Sequence, residues 1–311
     1  MKKESKPVKA YKGFNKHMQC TPNREIFQYE IGKEYKEDEA NLCHCGFHAC
    51  ENPLDVLSYY NNIDDKFCEV ELDKIDPNRN KDSKICGKKI KIGVEIGFLG
   101  LFKAGIEWIK NKTIFTQEDF EKLSSGDDAK IGSSGDYAQI GSSGNNARIG
   151  SSGNNARIGS SGYDAQIGSS GDNARIGSSG YDAKIGSSGD YAQIGSSGNN
   201  AKIGSSGYNA KIGSSGNNAR IGSSGDGTKI GSSGDYAQIG SSGDDCVIMC
   251  AGINSSAKAK IGSWITLAEW KYSEEKQRHI PFSVVTKQVD GTEIKEDVYY
   301  TLQDGKFKEL K

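Results

Sequence analysis

The 311-residue chain has no apolar run of about 18 residues, the length a membrane-crossing helix needs, and its start, MKKESKPVKAYKG, carries no signal-peptide-like apolar stretch. A soluble, intracellular protein is expected. No segment holds an excess of one charge: residues 1–123 carry 21 basic and 21 acidic side chains, 124–248 carry 9 and 11, and 249–311 carry 10 and 9. That balance argues against a nucleic-acid binder working by bulk charge, and equally against an acidic mimic of DNA. Apolar residues make up only 34%, few enough to suggest disorder if they were spread evenly. Eight cysteines follow no framework spacing, so reduced thiols are the default. Walker, HExxH and GxSxG motifs are all missing, which removes the commonest catalytic readings.

What the chain has in abundance is glycine, and it is concentrated. Of 40 glycines, 28 lie between Gly126 and Gly243. There a nine-residue unit, SSG-xx-A-(K/R/Q)-I-G, runs through fourteen copies without insertion, from Ser124 to Ile248. In a unit such as Tyr137-Ala138-Gln139-Ile140-Gly141, alternation sends Ala138 and Ile140 to one face and Tyr137 and Gln139 to the other, the pattern of a half-buried strand. Two glycines in nine residues would cost a helix roughly 1 kcal/mol each. The glycine closing Ser-Ser-Gly is expected to supply the positive φ of a corner. One strand cannot bury its own apolar side, so the units must stack about 4.8 Å apart, alanine on alanine and isoleucine on isoleucine.

The fold expected is therefore mainly β: a β-solenoid with two units, 18 residues, per coil and seven coils. A three-unit coil is the competitor, hinted at by Gln139, Gln166 and Gln193 lying 27 residues apart. Alanine and isoleucine could not fill its larger interior to native density. Four segments follow: an α+β head at 1–104, a connecting helical segment at 105–123 opened by Thr116 to Asp119, the solenoid at 124–248 and a β-meander cap at 249–311. The cap reads as strands over 265–270, 282–289, 293–302 and 306–310, with Asp290-Gly291 and Asp304-Gly305 as hairpin turns and with Trp264 and Trp270 packed on the last coil. Some such cap is required, because an open coil end recruits other chains, and the cap is where an oligomer would form.

The outward strand position holds Lys130, Arg148, Arg157, Arg175, Lys184, Lys202, Lys211, Arg220 and Lys229, and the variable pair contributes Tyr137, Tyr163, Tyr181, Tyr191, Tyr208 and Tyr236. These are the candidate surface-binding residues. Cation ladders meet phosphates and tyrosine rings stack on bases or sugars, making nucleic acid or a nucleotide an alternative ligand. The plainer reading is that the roll's two flat polar faces are simply solvated, and a protein-binding surface is the next alternative. The calcium-binding nonapeptide of RTX β-rolls is similar in period, but the fixed aspartate it needs in every copy is missing here. The charged column likewise lacks the flat, uncharged character of an ice-binding array.

In the head, strands are expected at 8–14, 25–30, 66–72 and 88–96, and a short helix at 53–60, opened by Asn52-Pro53. Cys43, Cys45, His48 and Cys50 offer metal-ligand chemistry, but their spacing departs from the usual pair of separated ligand pairs, so buried or incidental thiols are preferred and no metal or cofactor is assigned.

The strings AYKGF, FQYEIGKEY, CGFHACENPLDVLSYY and FCEVEL, with GSWITLAEW and VDGTEIKEDVYYTLQDGKFKEL near the end, resemble an uncharacterised family of phage and prophage proteins whose N-terminal domain precedes Gly/Ser-rich short repeats. That resemblance implies a cytoplasmic protein of a bacterial host meeting a host macromolecule, and inhibition of a defence factor is one purpose it suggests. A second resemblance is to ADP-ribosyltransferases, which place an aromatic-basic-glycine strand, an aromatic segment and a strand glutamate around NAD. Here Tyr11, Lys12, Tyr60 and Glu95 would take those positions. Lysine stands where arginine or histidine is usual, and His-Ala-Cys replaces Ser-Thr-Ser. The favoured function is a non-enzymatic interaction scaffold with a protein partner and no membrane; the alternative is an NAD-using head.

Overall fold

A computed structural model of the chain describes residues 6–21, 25–78, 83–112, 115–116 and 121–310. They form two compact units, Met1–Trp108 and Ile109–Lys311.

The head contains β1 (Val8–Phe14), β2 (Gln19–Cys20), β3 (Phe27–Gln28), β4 (Glu34–Lys36), β5 (Phe47–Cys50), β6 (Lys66–Ile75) and β7 (Lys84–Glu95). The long antiparallel pair β6 and β7 exists because both segments alternate apolar and charged residues, with Val70, Leu72, Ile90 and Ile92 turned inward. β1 pairs with β5 and β6, and β7 pairs with β5 and β6, so four strands close on themselves while β4 adds to the edge of β7. Between β5 and β6 lies a 3-10 helix, Pro53–Ser58. The Asn52 side chain accepts the Leu54 N–H and Pro53 fills its first turn, as the Asn-Pro signal predicts. After β7 comes α1 (Gly97–Lys112). The helix start expected over Thr116 to Asp119 falls largely on residues outside those described, and Thr116 itself is in a strand, β8 (Phe115–Thr116).

The solenoid opens with β8 and β9 (Glu121–Ser124) and continues through fourteen four-residue strands at nine-residue intervals, β10 (Lys130–Ser133) to β23 (Val247–Cys250). Pairing is parallel and joins each strand to the second one on: Lys130 to Arg148, Ile131 to Ile149. The coil is therefore 18 residues, two units, and the three-unit alternative is excluded. Alternate strands build two sheets facing each other. Sheet 1 contains β10 and Lys184, and sheet 2 contains Gln139 and Arg157. From Ile131 to Ile248 every repeat isoleucine is buried, together with the repeat alanines from Ala138 onward, and each isoleucine contributes roughly 1.5–3 kcal/mol by leaving water. Where Thr228 replaces alanine, its hydroxyl donates to the Gly225 carbonyl at 2.6 Å.

Two features of the corner differ from the sequence reading. Positive φ falls on the second variable residue, such as Asn146, Asn155 or Tyr191, and not on the Ser-Ser-Gly glycine. That glycine is needed for closeness: a Cβ on Gly144 would collide with the carbonyl of Gly126 one coil away. The first variable residue explains its own composition. Asp136 accepts the Asn154 N–H at 2.7 Å, Asn154 accepts that of Asp172 at 2.8 Å, and Asp172 that of Asp190 at 2.9 Å, so Asn and Asp form a side-chain ladder along the corner.

The array does not stop at Ile248. β24 (Ser256–Lys258) places Ala257 on Ile239, and β25 (Trp264–Ser273) places Ile265 on Ile248, giving about eight turns between residues 130 and 267 instead of seven. The step from Ile248 to Ile265 is 17 residues, one short of the period, and Ile261, the apparent echo of the repeat, is exposed. Nor is the cap a single meander. β25 pairs with β26 (Arg278–Gln288) at the end of sheet 2, and β27 (Tyr300–Gln303) with β28 (Lys306–Glu309) at the end of sheet 1. Asp304-Gly305 is a hairpin turn as predicted, with positive φ at both residues. Asp290-Gly291 is not; the Asp290 carboxylate accepts the N–H groups of Ile294 and Thr292, which hold its pKa down at about 2, and 293–299 form no strand. Trp270 donates to the Ala251 carbonyl at 2.8 Å, while Trp264, stacked on Val247, stays nearly half exposed.

Candidate functional site

On sheet 2 the strand period turns the cation or glutamine and the glycine of each unit outward. Gly159, Gly177, Gly195 and Gly213 are exposed with open space above them. The result is a trough of about 1220 Å³ floored by bare backbone. Its side-chain wall is Gln139, Arg157, Arg175, Gln193, Lys211 and Lys229, and Val247 and Met249 close it where the repeat fails. Arg157 stacks on Arg175 and Lys211 on Lys229 in strict register. No ion pair neutralises these four cations among the described residues, and each stacked pair roots like-charged side chains on backbones one strand spacing, about 4.8 Å, apart.

Sheet 1 carries the same motif with a different outcome. Gln166, Lys184 and Lys202 retain only 6%, 3% and 5% of their exposure. Lys184 lies 4.0 Å from Asp164 and Lys202 lies 3.9 Å from Asp182. Burial pushes the Lys202 pKa down to about 8, the Lys184 charge adds to that, and Asp182 opposes it. Of the nine predicted surface cations, Lys130, Arg157, Arg175, Lys211 and Lys229 are exposed, Arg148 and Arg220 half-buried, and Lys184 and Lys202 withdrawn. The nine, expected to be solvated alike on the two polar faces of the roll, therefore fall on two unequal faces.

All six predicted tyrosines are exposed, but they stand at corners and not on strands. Tyr163 and Tyr181 stack with ring centres 5.4 Å apart, and Tyr191 meets Tyr208 edge-on at 5.9 Å. Tyr137, Tyr191 and Tyr236 occupy left-handed backbone positions that other coils fill with Asn, Asp or Gly.

The head holds a second concavity, about 400 Å³. β1 and β5 are in register only at Tyr11 and Cys50. Beyond that pair, the His48 carbonyl accepts the Lys12 ammonium at 2.9 Å. Lys12 is 9% exposed, with the rings of Phe14 and Tyr29 each 5.5 Å from its Nζ. Tyr60 lies across Gly13 so closely that a Cβ there would stand 2.6 Å from it. The strand thus needs glycine at that point. His48 Nε2 accepts the Cys43 N–H at 2.9 Å, and burial together with the Lys12 and Lys84 charges lowers its pKa, keeping the ring neutral. At the mouth, Lys84 Nζ lies 4.7 Å from the Tyr59 ring centre.

Tyr11, Lys12 and Tyr60 thus line one cleft. Glu95 does not line it; it pairs with Lys66 at 2.8 Å on β7 and β6. Cys43 is exposed, Cys45 half-buried and Cys50 buried, and no three Cys, His, Asp or Glu side chains converge as a metal site among the described residues. Residues 8–104 match the family described as "Domain of unknown function (DUF7666)". That segment begins with β1 and ends inside α1, so it contains the whole cleft. No curated protein and no solved structure matches the chain. Sequence reasoning missed Lys84 as a cleft residue, whereas Gly13 and Tyr59 lie in the Tyr11-Lys12-Gly13 and Tyr59-Tyr60 strings that carry the ADP-ribosyltransferase resemblance.

Proposed function

We propose that the protein is a non-enzymatic binding scaffold of the bacterial cytoplasm whose sheet 2 trough docks an acidic surface of a host protein, in the phage or prophage setting that its sequence resembles. The observation carrying this reading is the pair of un-neutralised cation stacks, Arg157 on Arg175 and Lys211 on Lys229, along a side-chain-free floor. Bringing like charges into register costs free energy that an opposing acidic surface returns, and a bare glycine floor lets that surface approach closely. The protein would act by occupying its partner, with no cofactor.

The test is capture from nuclease-treated bacterial lysate on the tagged full chain and on a variant with R157E, R175E, K211E and K229E. An acidic protein retained by the wild type, released by salt and absent from the variant is the expected result. Retention seen only from a parallel lysate left without nuclease would transfer the trough to nucleic acid. NAD consumption by the full chain that vanishes in Glu95→Gln would replace the scaffold with an enzyme.

A further inference from the structure

We propose that the head cleft is a binding site for a small aromatic carboxylate. The argument starts from Lys12. It is a charged side chain more than nine-tenths buried, and no carboxylate pairs with it among the described residues. One of its three N–H donors is used on the His48 carbonyl, and aromatic faces supply the remaining attraction. A buried ammonium held this way keeps donors free for an anion that enters the cleft.

The charge inventory fixes which anion. Two lysines, Lys12 and Lys84, line the cavity against one acid, Glu37, whose Oε2 is already accepting the Gly46 N–H at 3.0 Å. His48 adds no charge, because its Nε2 is an acceptor. The balance of one positive charge suits a monoanion better than a phosphate dianion. The shape fixes the rest. Tyr60 packs its Cβ and ring atoms against Gly13 and Tyr59 stands half exposed at the mouth, so a planar ring entering beside them finds aromatic walls. A volume of about 400 Å³ lies within the usual span for small-molecule sites. Lys12 and Gly13 of β1 and His48 and Ala49 of β5 line the cavity together, so a carboxylate entering it reaches Lys12.

Calorimetric titration of the full chain with indole-3-carboxylate, indole, acetate and AMP tests this. The expected result is saturable binding of indole-3-carboxylate at least about tenfold tighter than either fragment and tighter than AMP. Binding should weaken at least about tenfold in Lys12→Met, and less in Lys84→Met at the exposed mouth. Should Lys12→Met fail to fold, slower alkylation of the cleft-lining Cys43 with ligand present, and a higher ligand concentration needed for the same protection in Lys84→Met, provides the second readout. The proposal is overturned if indole-3-carboxylate gives no heat up to about 10 mM, if its affinity is the same in every folded variant, or if AMP binds more tightly.

Discussion

A methyl group on Gly198 would run into the carbonyl of Gly180 one coil below, whereas above Gly195, three residues earlier at the end of the preceding repeat, there is open space. Neither glycine has positive φ, so the contrast is one of packing alone. Gly198→Ala should therefore destabilise the solenoid by several kcal/mol, because the stacked corner must spread or unpair, an overpacking cost of at least about 1–3 kcal/mol. Gly195→Ala should be neutral or stabilising by up to about 1 kcal/mol. Thermal unfolding of both variants decides, and equal losses would mean that the corner stacking is misassigned. The repeat text made the strand face legible, because alternation is a property of one unit. It did not reveal why Ser-Ser-Gly ends in glycine, because the reason lies eighteen residues away. Positive φ was within reach: Asn, Asp and Gly227 dominate the second variable position, and only Tyr137, Tyr191 and Tyr236 obscure it.

At the scale of the element, identical nonapeptides become two unequal sheets, and nothing in a unit's own letters says which sheet it will join. Lys202 on sheet 1 is held near pH 8, below the 10.5 of a free lysine. Its sign follows from linkage. Below pH 8 it is charged both folded and unfolded, and the folded protein bears the cost of burying that charge. Between 8 and 10.5 the folded form releases its proton first, so stability rises with pH; above that window the cost is gone. At pH 7 the cost is about 3 kcal/mol. Lys202→Met should accordingly melt higher than wild type at pH 7, with the gap closing towards pH 10. A gap independent of pH would show that the ammonium is not the source. The head cleft was partly legible in the same sense. Tyr11, Lys12 and Tyr60 could be named from their order, but Glu95 could not be excluded until β6 placed Lys66 beside it.

The molecule as a whole manages the ends of its solenoid with two hairpins, one per sheet, where sequence reasoning expected one meander. The difference arose because the last coil is degenerate: Ala257 stands in for isoleucine, and the 17-residue step to Ile265 hides the register. β26 and β28 are now the terminal strands. Deleting residues 274–311 would leave β25 and β24 with unpaired backbone groups beside the exposed Trp264 and Met249. That truncation should associate into oligomers at concentrations where the full chain does not, as light scattering coupled to size exclusion would report; an unchanged mass would show that the hairpins are not protective. The two-unit coil has a further consequence for how such a chain can vary. Losing one nonapeptide would transpose every downstream side chain, sending Arg157 and Arg175 to the sheet of Lys184 and bringing Lys184 and Lys202 into the trough. Losing two would merely remove a rung and leave each column intact. Viable length variants of this array should thus differ by multiples of eighteen, with odd counts of the nonapeptide selected against.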